Sequence, residues 1–270
     1  MIKINGFYYR KDVFPCGEMH LRGITNNNKR LLFLGDSTII EIEFYFENEL
    51  EILELIFIND YLKSKYPNYD IHLKMPYVPY SRQDRDFKEE CFTLKSFCKL
   101  INNCNFDSVE ILDPHSDVTT ALLDRVRVTD NRAHMIEFID DHFKGAFHIL
   151  SPDAGSLKKC EGIAKFLIEN NKPLKTLIQC SKNRCLKTGD ILNTNIMNIP
   201  DKNSDLPILI IDDICEGGRT FIEIAKILKK QNNKRIIALY VSHGFFTKGL
   251  EVFEGLIDII VSKGLKKNDN

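Results

Sequence analysis

The segment PILIIDDICEGGRTFIEIAKILKK places two adjacent acids and two adjacent glycines between an apolar run and a helix-like pattern. Asp212 and Asp213 end the apolar run, and neighbouring carboxylates there repel unless water, hydroxyl groups or a cation lie nearby. Gly217 and Gly218 let backbone amides close around an anion, and the helix predicted to begin near Arg219 adds its dipole. Hydroxyl groups and phosphate occur together in a ribose phosphate, which the segment is predicted to bind. An ordinary strand–turn–helix joint with a solvated acidic cap is the alternative.

Two further segments place a single polar residue after an apolar run. SPDAGS follows Phe147–Leu150, and its Asp153 is a candidate metal or ribose ligand, although capping of the next helix is the commoner role. LDPHSD places His115 three residues after Leu112, as a candidate metal or phosphate ligand or a hydrogen-bonded surface residue. Ligands of open α/β sheets bind beyond the carboxyl ends of the strands, so both positions suit a binding site.

The segment PYVPYSRQDRDFK concentrates charge after another apolar run. Arg82 and Arg85 flank Gln83 and an acid, and guanidinium groups suit a polyphosphate because each one binds phosphate through two donors. A solvated turn is the alternative interpretation.

Short apolar runs alternate with helical patterns along most of the chain. The runs are nearly continuous, as expected of strands that are covered on both faces. They are Leu31–Leu34, Ile71–Met75, Val109–Leu112, Phe147–Leu150, Ile208–Ile211 and Ile236–Val241. The helical stripes are Leu94, Phe97, Cys98 and Ile101 after Thr93 as N-cap, then Leu157, Cys160, Ala164 and Leu167, then Phe221, Ile224, Ala225 and Leu228. This alternation predicts an α/β protein with mainly parallel sheets.

A polar segment from about Arg125 to Lys144 is the predicted domain boundary. It divides the chain into an N-terminal domain of residues 1–135 and a C-terminal domain of residues 136–270. Each half has the same order of strand, helix and strand, so two similar domains are expected. The polar stretch 180–207 lacks periodicity and is predicted to be a loop, and loops of that length are usually disordered or functional.

Composition excludes several classes of protein. The chain has 270 residues and a net charge of −1, which suits two globular domains and argues against a nucleic-acid or anionic-membrane surface. Neither a membrane span nor a signal peptide is visible, so a cytoplasmic protein is predicted. The eight cysteines include no C-x-x-C pair, and we expect them to be reduced, without a structural zinc.

These segments together resemble the ribose-phosphate pyrophosphokinases, also called phosphoribosyl pyrophosphate (PRPP) synthetases. PYVPYSRQDR is similar to the family's Pro-Tyr-x-x-Tyr-x-Arg-Gln-Asp-Arg signature, LDPHSD to its Asp-x-His segment and SPDAGS to its Ser-Pro-Asp-x-Gly stretch. IDDICEGGRT resembles the PRPP loop shared with type I phosphoribosyltransferases, and FPCGE resembles the adenine-binding Phe-x-Asp-Gly-Glu. The matches keep the family's order from residue 14 to about residue 243.

The resemblance implies two tandem domains of the type I phosphoribosyltransferase kind and Mg²⁺ as cofactor. A homo-oligomer is expected, although its state is not inherited from the family. The resemblance also implies transfer of diphosphate from ATP: the anomeric hydroxyl of a 5-phosphorylated ribose attacks the β-phosphorus, and AMP leaves.

Site roles carried over from the family fall into four groups. Adenine would stack on Phe14 and donate to Glu18, and the ATP phosphates or base would be held by Arg82, Gln83 and Arg85. The Mg²⁺ ligands would be His115 and Asp153. Segment 180–207 would be the mobile catalytic loop, with Lys182 and Arg184 as its Lys-x-Arg. The ribose hydroxyls would be gripped by Asp212 and Asp213, and the 5-phosphate loop would continue through Glu216, Gly217, Gly218, Arg219 and Thr220.

The sequence departs from the family at three places. Cys16 replaces an adenine-reading aspartate, and the chain ends soon after the predicted strand 257–261, before the closing strand and helix that family members carry. In the 5-phosphate loop, Gly217 stands where the family has a hydroxyl and Arg219 is an added guanidinium. Lost volume and a second cation suit a phosphate diester, so ADP-ribose, pyrophosphorylated in a nicotinamide (NAD) salvage route, is the preferred acceptor.

Three alternatives stay open at this stage. The acceptor can instead be ribose 5-phosphate, which would make the product PRPP for nucleotide synthesis. A phosphoribosyltransferase, which consumes such a product, is disfavoured because the Arg-Gln-Asp-Arg segment belongs to an ATP site that those enzymes lack. A PRPP-synthetase-associated regulatory subunit is the non-enzyme alternative, and retention of Lys182, Arg184, His115 and Asp153 argues against it.

Overall fold

The computed structural model describes residues 1–24, 38–86, 89–184 and 191–263. The chain divides into two compact units, Met1–Thr129 and Asp130–Asn270. The predicted boundary after residue 135 lies within a helix of the second unit, Arg132–His142. The predicted strand Leu31–Leu34 lies outside the described residues.

The first unit is built on a sheet whose parallel strands follow chain order. Its elements are β1 (Ile2–Ile4), β2 (Arg10–Val13), β3 (Met19–Arg22), β4 (Ile39–Phe44), α1 (Leu50–Lys65), β5 (Asp70–Lys74), α2 (Thr93–Asn103), β6 (Ser108–Leu112), α3 (Asp117–Leu122) and β7 (Val126–Thr129). The sheet order is β1-β4-β5-β6-β7, with β4 to β7 parallel and β1 antiparallel to β4. Strands β2 and β3 form a separate antiparallel hairpin.

The predicted stripe of α2 is confirmed as part of this unit's core. Its four apolar residues are buried, and they pack in one cluster with the sheet residues Ile71 and Leu73. The predicted N-cap is wrong. Thr93 is the first helical residue, and its hydroxyl donates to the carbonyl of Cys91 instead of accepting from an N–H of the first turn.

The second unit is built on a larger sheet. Its elements are α4 (Arg132–His142), β8 (Phe147–Ser151), α5 (Leu157–Glu169), β9 (Leu174–Arg184), β10 (Ile191–Met197), β11 (Ile208–Cys215), α6 (Arg219–Gln231), β12 (Ile237–Gly244), a 3₁₀ helix (Glu251–Phe253) and β13 (Ile259–Ser262). The order is β10-β9-β8-β11-β12-β13, and only the edge strand β10 is antiparallel to its neighbour among these described strands.

The apolar run at the start of β11 is continuous because helices cover both faces of this sheet. Side chains alternate between faces along a strand. Ile208 and Ile210 pack in one core cluster, whereas Leu209 and Ile211 pack in another. The predicted stripes of α5 and α6 face these two cores, except that Leu157 of α5 is only half-buried. Cys160, Ala164 and Leu167 lie in one core, and Phe221, Ile224, Ala225 and Leu228 lie in the other.

Strand order in the second unit reverses between β8 and β11. Strand β9 pairs with one side of β8 while β11 pairs with its other side, after which β12 and β13 continue outward. In open α/β sheets such a topological switch point opens a crevice at the carboxyl ends of the strands, and ligands bind there. The topology alone therefore predicts a ligand-binding site at the carboxyl ends of β8 and β11.

The prediction of a loop over residues 180–207 is wrong for much of that stretch. Strand β9 continues to Arg184 and pairs with β10 in an antiparallel ribbon, with Lys182 opposite Thr194 and Cys180 opposite Ile196. The sequence concealed this ribbon because the apolar residues of β10, ILNTNIM, do not alternate with polar ones as they would on a half-buried strand. Strand β11 is also longer than predicted, because its pairing with β12 continues from Asp212 to Cys215.

The five buried cysteines are core side chains, as predicted for several of them. All seven described cysteines are free thiols. None of the helices in the described part of the chain is long and apolar enough to cross a membrane.

Candidate active site

Asp212 and Asp213 lie at the switch point of the second unit, near the carboxyl end of β11. Asp213 is buried, with 6% of its surface exposed, and its N–H donates to Oδ1 of Asp212 at 3.0 Å. Burial, followed by the charges of Asp213 and Asp153, raises the pKa of Asp212 well above the ordinary value of 3.8. A carboxylate that is costly to ionise favours a partner that stabilises the charge, such as a cation or a pair of sugar hydroxyls.

Asp153 occupies the neighbouring strand end, after β8. Its Oδ1 accepts hydrogen bonds from the N–H groups of Gly155 at 3.0 Å and Ser156 at 3.1 Å, which organises the turn before α5. These bonds order the turn but do not cap the helix, because α5 begins at Leu157 and its N-cap, Ser156, makes no side-chain capping bond. The negative charge of Asp153 also raises the pKa of Asp212. One carboxylate therefore both orders the turn and contributes to the electrostatic field of the site.

The turn from β11 into α6 contains two glycines with different surroundings. Gly218 has a φ of +76°, and a Cβ there would lie 2.3 Å from the ring of Phe253, so only glycine fits without strain. A Cβ on Gly217 would lie 3.5 Å from Cε of Lys248 and 3.6 Å from Oγ1 of Thr247, which are ordinary contacts. A side chain at position 217 would therefore contact the neighbouring loop, which borders the turn on that side.

Arg219, Glu216 and Thr220 complete this turn. Arg219 is the first residue of α6, is 74% exposed, and donates from Nε to Oε1 of Glu223 at 2.9 Å. Glu216 is exposed, and its carbonyl accepts from the N–H of Thr247 at 3.0 Å, which fixes the neighbouring loop against the turn. Thr220 is half-buried. The added arginine is thus engaged with its own helix.

The predicted catalytic pair lies on the ribbon. The backbones of Lys182 and Arg184 belong to β9, which pairs with β8 at its other end. Their side chains lie outside the described part of the structure, so their catalytic role stays a prediction.

In the first unit, the segment after β5 is held by packing on α2. Tyr80 has a φ of +62°, and its ring packs between those of Phe46 and Phe97. The carbonyl of Tyr80 accepts from the N–H of Gln83 at 2.8 Å, while the carbonyl of Gln83 accepts from Leu94 at 3.3 Å. The predicted phosphate-binding side chains that follow this anchored turn are all exposed, namely Arg82, Gln83 and Arg85.

Asp84 links this segment to the one after β6. Burial alone would raise the pKa of Asp84, but the Arg85 guanidinium, whose Nε lies 3.3 Å from Oδ1, and the charge of His115 help to outweigh burial and lower it. The structure therefore brings the Arg-Gln-Asp-Arg and Asp-x-His segments together. Sequence reasoning named the arginines and His115 but missed Asp84 as the residue between them, although β5 and β6 are adjacent parallel strands whose carboxyl ends must be neighbours.

Phe14 and Glu18 lie together at the tip of the β2–β3 hairpin. The N–H of Phe14 donates to the carbonyl of Glu18 at 2.8 Å, and Gly17 closes the turn with a φ of +93°. The Phe14 ring is 47% exposed and stacks on His20, with centroids 5.5 Å apart. A ring that is supported on one face and exposed elsewhere suits stacking with an aromatic base. Cys16 is exposed at the same tip.

Fold and site define an α/β protein with type I phosphoribosyltransferase-like domains and an acidic, glycine-flanked strand end at a switch point. A solved phosphoribosylpyrophosphate synthetase from Mycobacterium smegmatis has the same fold, with a TM-score of 0.76 at 17% identity, covering 97% of this chain and 82% of that one. No protein-family model matches the sequence.

Curated relatives extend the likeness to sequence. The ribose-phosphate pyrophosphokinase of Sulfolobus acidocaldarius is 28% identical over 258 residues, covering 94% of this chain and 80% of the relative. That of Thermococcus kodakarensis is 28% identical over 241 residues, covering 87% and 77%. These likenesses support the ribose-phosphate pyrophosphokinase family and a diphosphotransferase enzyme, and they give no support to relatives that act on ADP-ribose.

Proposed function

We propose that the protein transfers the β,γ-diphosphate of ATP to the anomeric hydroxyl of ribose 5-phosphate, giving PRPP and AMP. The observation that carries the proposal is the pair Asp212 and Asp213 at the switch point, near the end of the strand that leads through a glycine turn into α6. Carboxylates accept hydrogen bonds from vicinal hydroxyls, and a glycine turn at a helix N-terminus suits a phosphate. The named relatives along most of the chain supply the reaction class.

In this proposal each group of residues has one task. Asp212 and Asp213 orient the ribose so that its anomeric oxygen forms a bond to the β-phosphorus as the bond to the leaving AMP oxygen breaks, with loss of the hydroxyl proton. Phe14 and Glu18 hold the adenine, while Arg82, Gln83 and Arg85 hold the remainder of ATP. Lys182 and Arg184 stabilise the charge that develops during transfer, which is the main contribution a protein makes to this chemistry.

Mg²⁺ fits the carboxylates that are present. Within the described residues, no three His, Cys, Asp or Glu side chains are grouped to hold a metal ion by themselves. Mg²⁺ commonly binds through one or two carboxylates with substrate phosphates and water completing its shell. Asp153, whose charge acts on Asp212, can supply one such ligand. His115 can supply another for metal that is bound to the nucleotide. The ion would neutralise phosphate charge.

The acceptor is proposed to be ribose 5-phosphate rather than ADP-ribose, for two structural reasons. A side chain at position 217 would contact Lys248 and Thr247, so the glycine borders the neighbouring loop rather than an exit for a diester. Arg219, the expected second phosphate ligand, is paired with Glu223 on the exposed surface of α6. Both features that favoured ADP-ribose from sequence have an ordinary structural explanation.

A direct assay tests the proposal. The protein is incubated with ATP and Mg²⁺ and with ribose 5-phosphate, ADP-ribose or no acceptor, and products are identified by mass spectrometry. AMP and PRPP should appear with ribose 5-phosphate and require Mg²⁺. AMP formed only with ADP-ribose would reverse the choice of acceptor, and no AMP with either acceptor would favour a regulatory subunit. Analytical ultracentrifugation of the same sample tests the predicted homo-oligomer.

A further inference from the structure

The loop after β12 lies against the proposed phosphate turn. The N–H of Phe245 donates to the carbonyl of Cys215 at 2.8 Å, and the N–H of Thr247 donates to that of Glu216 at 3.0 Å. These bonds hold Thr247 and Lys248 beside Gly217, where a Cβ would meet Cε of Lys248 at 3.5 Å, Cδ of Lys248 at 3.6 Å and Oγ1 of Thr247 at 3.6 Å. A hydroxyl and the stem of an ammonium group thus border the position from which this chain lacks a side chain.

Aromatic packing also fixes the loop, so the positions of its side chains beside the turn are defined. The ring of Phe246 meets that of Phe253 edge-on, with centroids 6.2 Å apart, and Phe253 in turn packs over Gly218. The N–H of Gly249 donates to the carbonyl of Phe246 at 2.8 Å and closes the turn. One aromatic pair therefore connects the phosphate turn and the loop.

The distribution of cations singles out Lys248. Arg219 is paired with Glu223, whereas Lys248 is exposed and takes part in none of the ion pairs found among the described residues. An exposed ammonium outside an ion pair can approach a phosphate without breaking another charge contact, and it binds phosphate as a compact point charge.

We infer that Thr247 and Lys248 bind the 5-phosphate of the acceptor in place of the side chain missing at Gly217. The inference rests on the proposed function and adds two specificity-determining residues to it. A phosphate monoester at this turn would accept a hydrogen bond from the Thr247 hydroxyl and pair with the Lys248 ammonium. The same two side chains close the space that a diester would need, so they select ribose 5-phosphate over larger acceptors.

Binding measurements on single variants test the inference. Lys248→Met keeps the length of the side chain and removes its charge, and it should weaken ribose 5-phosphate binding in calorimetry roughly 10- to 100-fold, as expected for a lost charged hydrogen bond. Thr247→Val should weaken binding about 3- to 10-fold, as expected for a neutral one. Lys248→Arg should retain most of the affinity. Lys226→Met, an exposed lysine on α6, is the matched control and should bind like wild type.

Two further measurements distinguish a lost contact with the phosphate from a general loss of activity. The KM for ribose 5-phosphate should rise in Lys248→Met with little change in kcat, and turnover of unphosphorylated ribose at high concentration should not fall. Gly217→Thr placed in the Thr247→Val background should restore part of the lost affinity, because it returns a hydroxyl to the turn.

The outcomes are distinguishable. Wild-type protein that neither binds ribose 5-phosphate nor forms AMP would overturn the proposed function, and the inference with it. Wild-type activity together with unchanged affinity in Lys248→Met and Thr247→Val would overturn the inference alone.

Discussion

Arg219 donates from Nε to Oε1 of Glu223 at 2.9 Å, one turn further along α6. The arginine is 74% exposed, and exposed pairs of this spacing contribute less than about 1 kcal/mol. A residue that looked like a second phosphate ligand in the sequence is therefore a helix-surface residue in the structure.

Arg219→Ala should accordingly leave kcat/KM for ribose 5-phosphate within about twofold of wild type, because it removes only a surface pair. Steady-state kinetics of the variant, with Glu223→Gln as the matched control, measures this. A loss of tenfold or more in Arg219→Ala but not in Glu223→Gln would return the arginine to the binding site.

Asp212→Asn should stabilise the unliganded protein while abolishing PRPP formation. The folded-state pKa of Asp212 is raised above its unfolded value near 3.8, so the folded protein binds the extra proton. Stability is therefore lost as pH rises from about 3.8 through the folded pKa, and asparagine removes that loss. Melting temperatures of the two proteins should converge near pH 4 and separate toward pH 7, by about 2–4 °C for each kcal/mol regained.

The exposed Glu161→Gln on α5 is the control for this measurement. It should show the wild-type pH dependence and wild-type activity. A lower melting temperature of Asp212→Asn than of wild type at pH 7 would contradict the interpretation of the acid pair as a strained binding site.

His148 should make the second unit sensitive to acid. It is 5% exposed in β8, and neither of its ring nitrogens has a hydrogen-bond partner among the residues that the structure describes. Burial, followed by the charges of Arg235 and Lys175, lowers the pKa of His148 below its ordinary value of 6.5. The unfolded chain takes up the proton first, so stability falls as pH drops below 6.5 toward the folded pKa.

Urea unfolding between pH 5 and pH 7.5 checks this expectation. His148→Leu should show a shallower pH dependence than wild type, while retaining the part due to His134, whose pKa is also lowered, first by burial. An unchanged slope in His148→Leu would mean that this histidine does not titrate in the window.

The two glycines of the phosphate turn should respond differently to alanine. Gly218→Ala forces a side chain into the left-handed region and toward the ring of Phe253, and should lower the free energy of unfolding by at least about 1–2 kcal/mol. Gly217→Ala introduces only ordinary contacts and should fold like wild type. Urea midpoints of the pair compare them, and equal destabilisation would contradict the described geometry.

Lys182→Ala and Arg184→Ala should each lower kcat by orders of magnitude with an unchanged melting temperature, because cations that act on developing charge contribute little to folding. Lys165→Ala, an exposed lysine on α5, should leave both quantities unchanged. Wild-type kcat in the ribbon variants would remove their catalytic assignment.

How far the sequence predicts this molecule depends on the kind of information each residue carries. The run Ile208–Ile211 correctly predicted a strand covered on both faces, because its four apolar residues pack alternately in two cores. The buried faces of α2 and α6 were also predicted, because helical spacing places their apolar residues on one side of each helix. Strand β10 could not be predicted in this way, because its apolar residues stand in pairs at the two ends of ILNTNIM and do not alternate with polar ones.

The site divides in the same way. Single residues such as Asp212 were found from local pattern, but relations between distant segments were not. Lys248 lies beside Gly217 only through the pairing of β11 with β12, and Arg219 meets Glu223 only once α6 has formed. Both relations bear on the acceptor, which is why the substrate preference read from the loop alone pointed to ADP-ribose.

The two sheets also differ in the order in which their strands can pair during synthesis. In the first unit β4, β5, β6 and β7 pair in the order in which they are made, so each strand finds its partner soon after it leaves the ribosome. In the second unit β8 must wait for β11, because the chain first builds α5 and the β9–β10 ribbon. Such delayed pairing raises contact order and slows folding. The proposed sugar site, which joins the ends of those two strands, would therefore be assembled only after most of the chain has been synthesised.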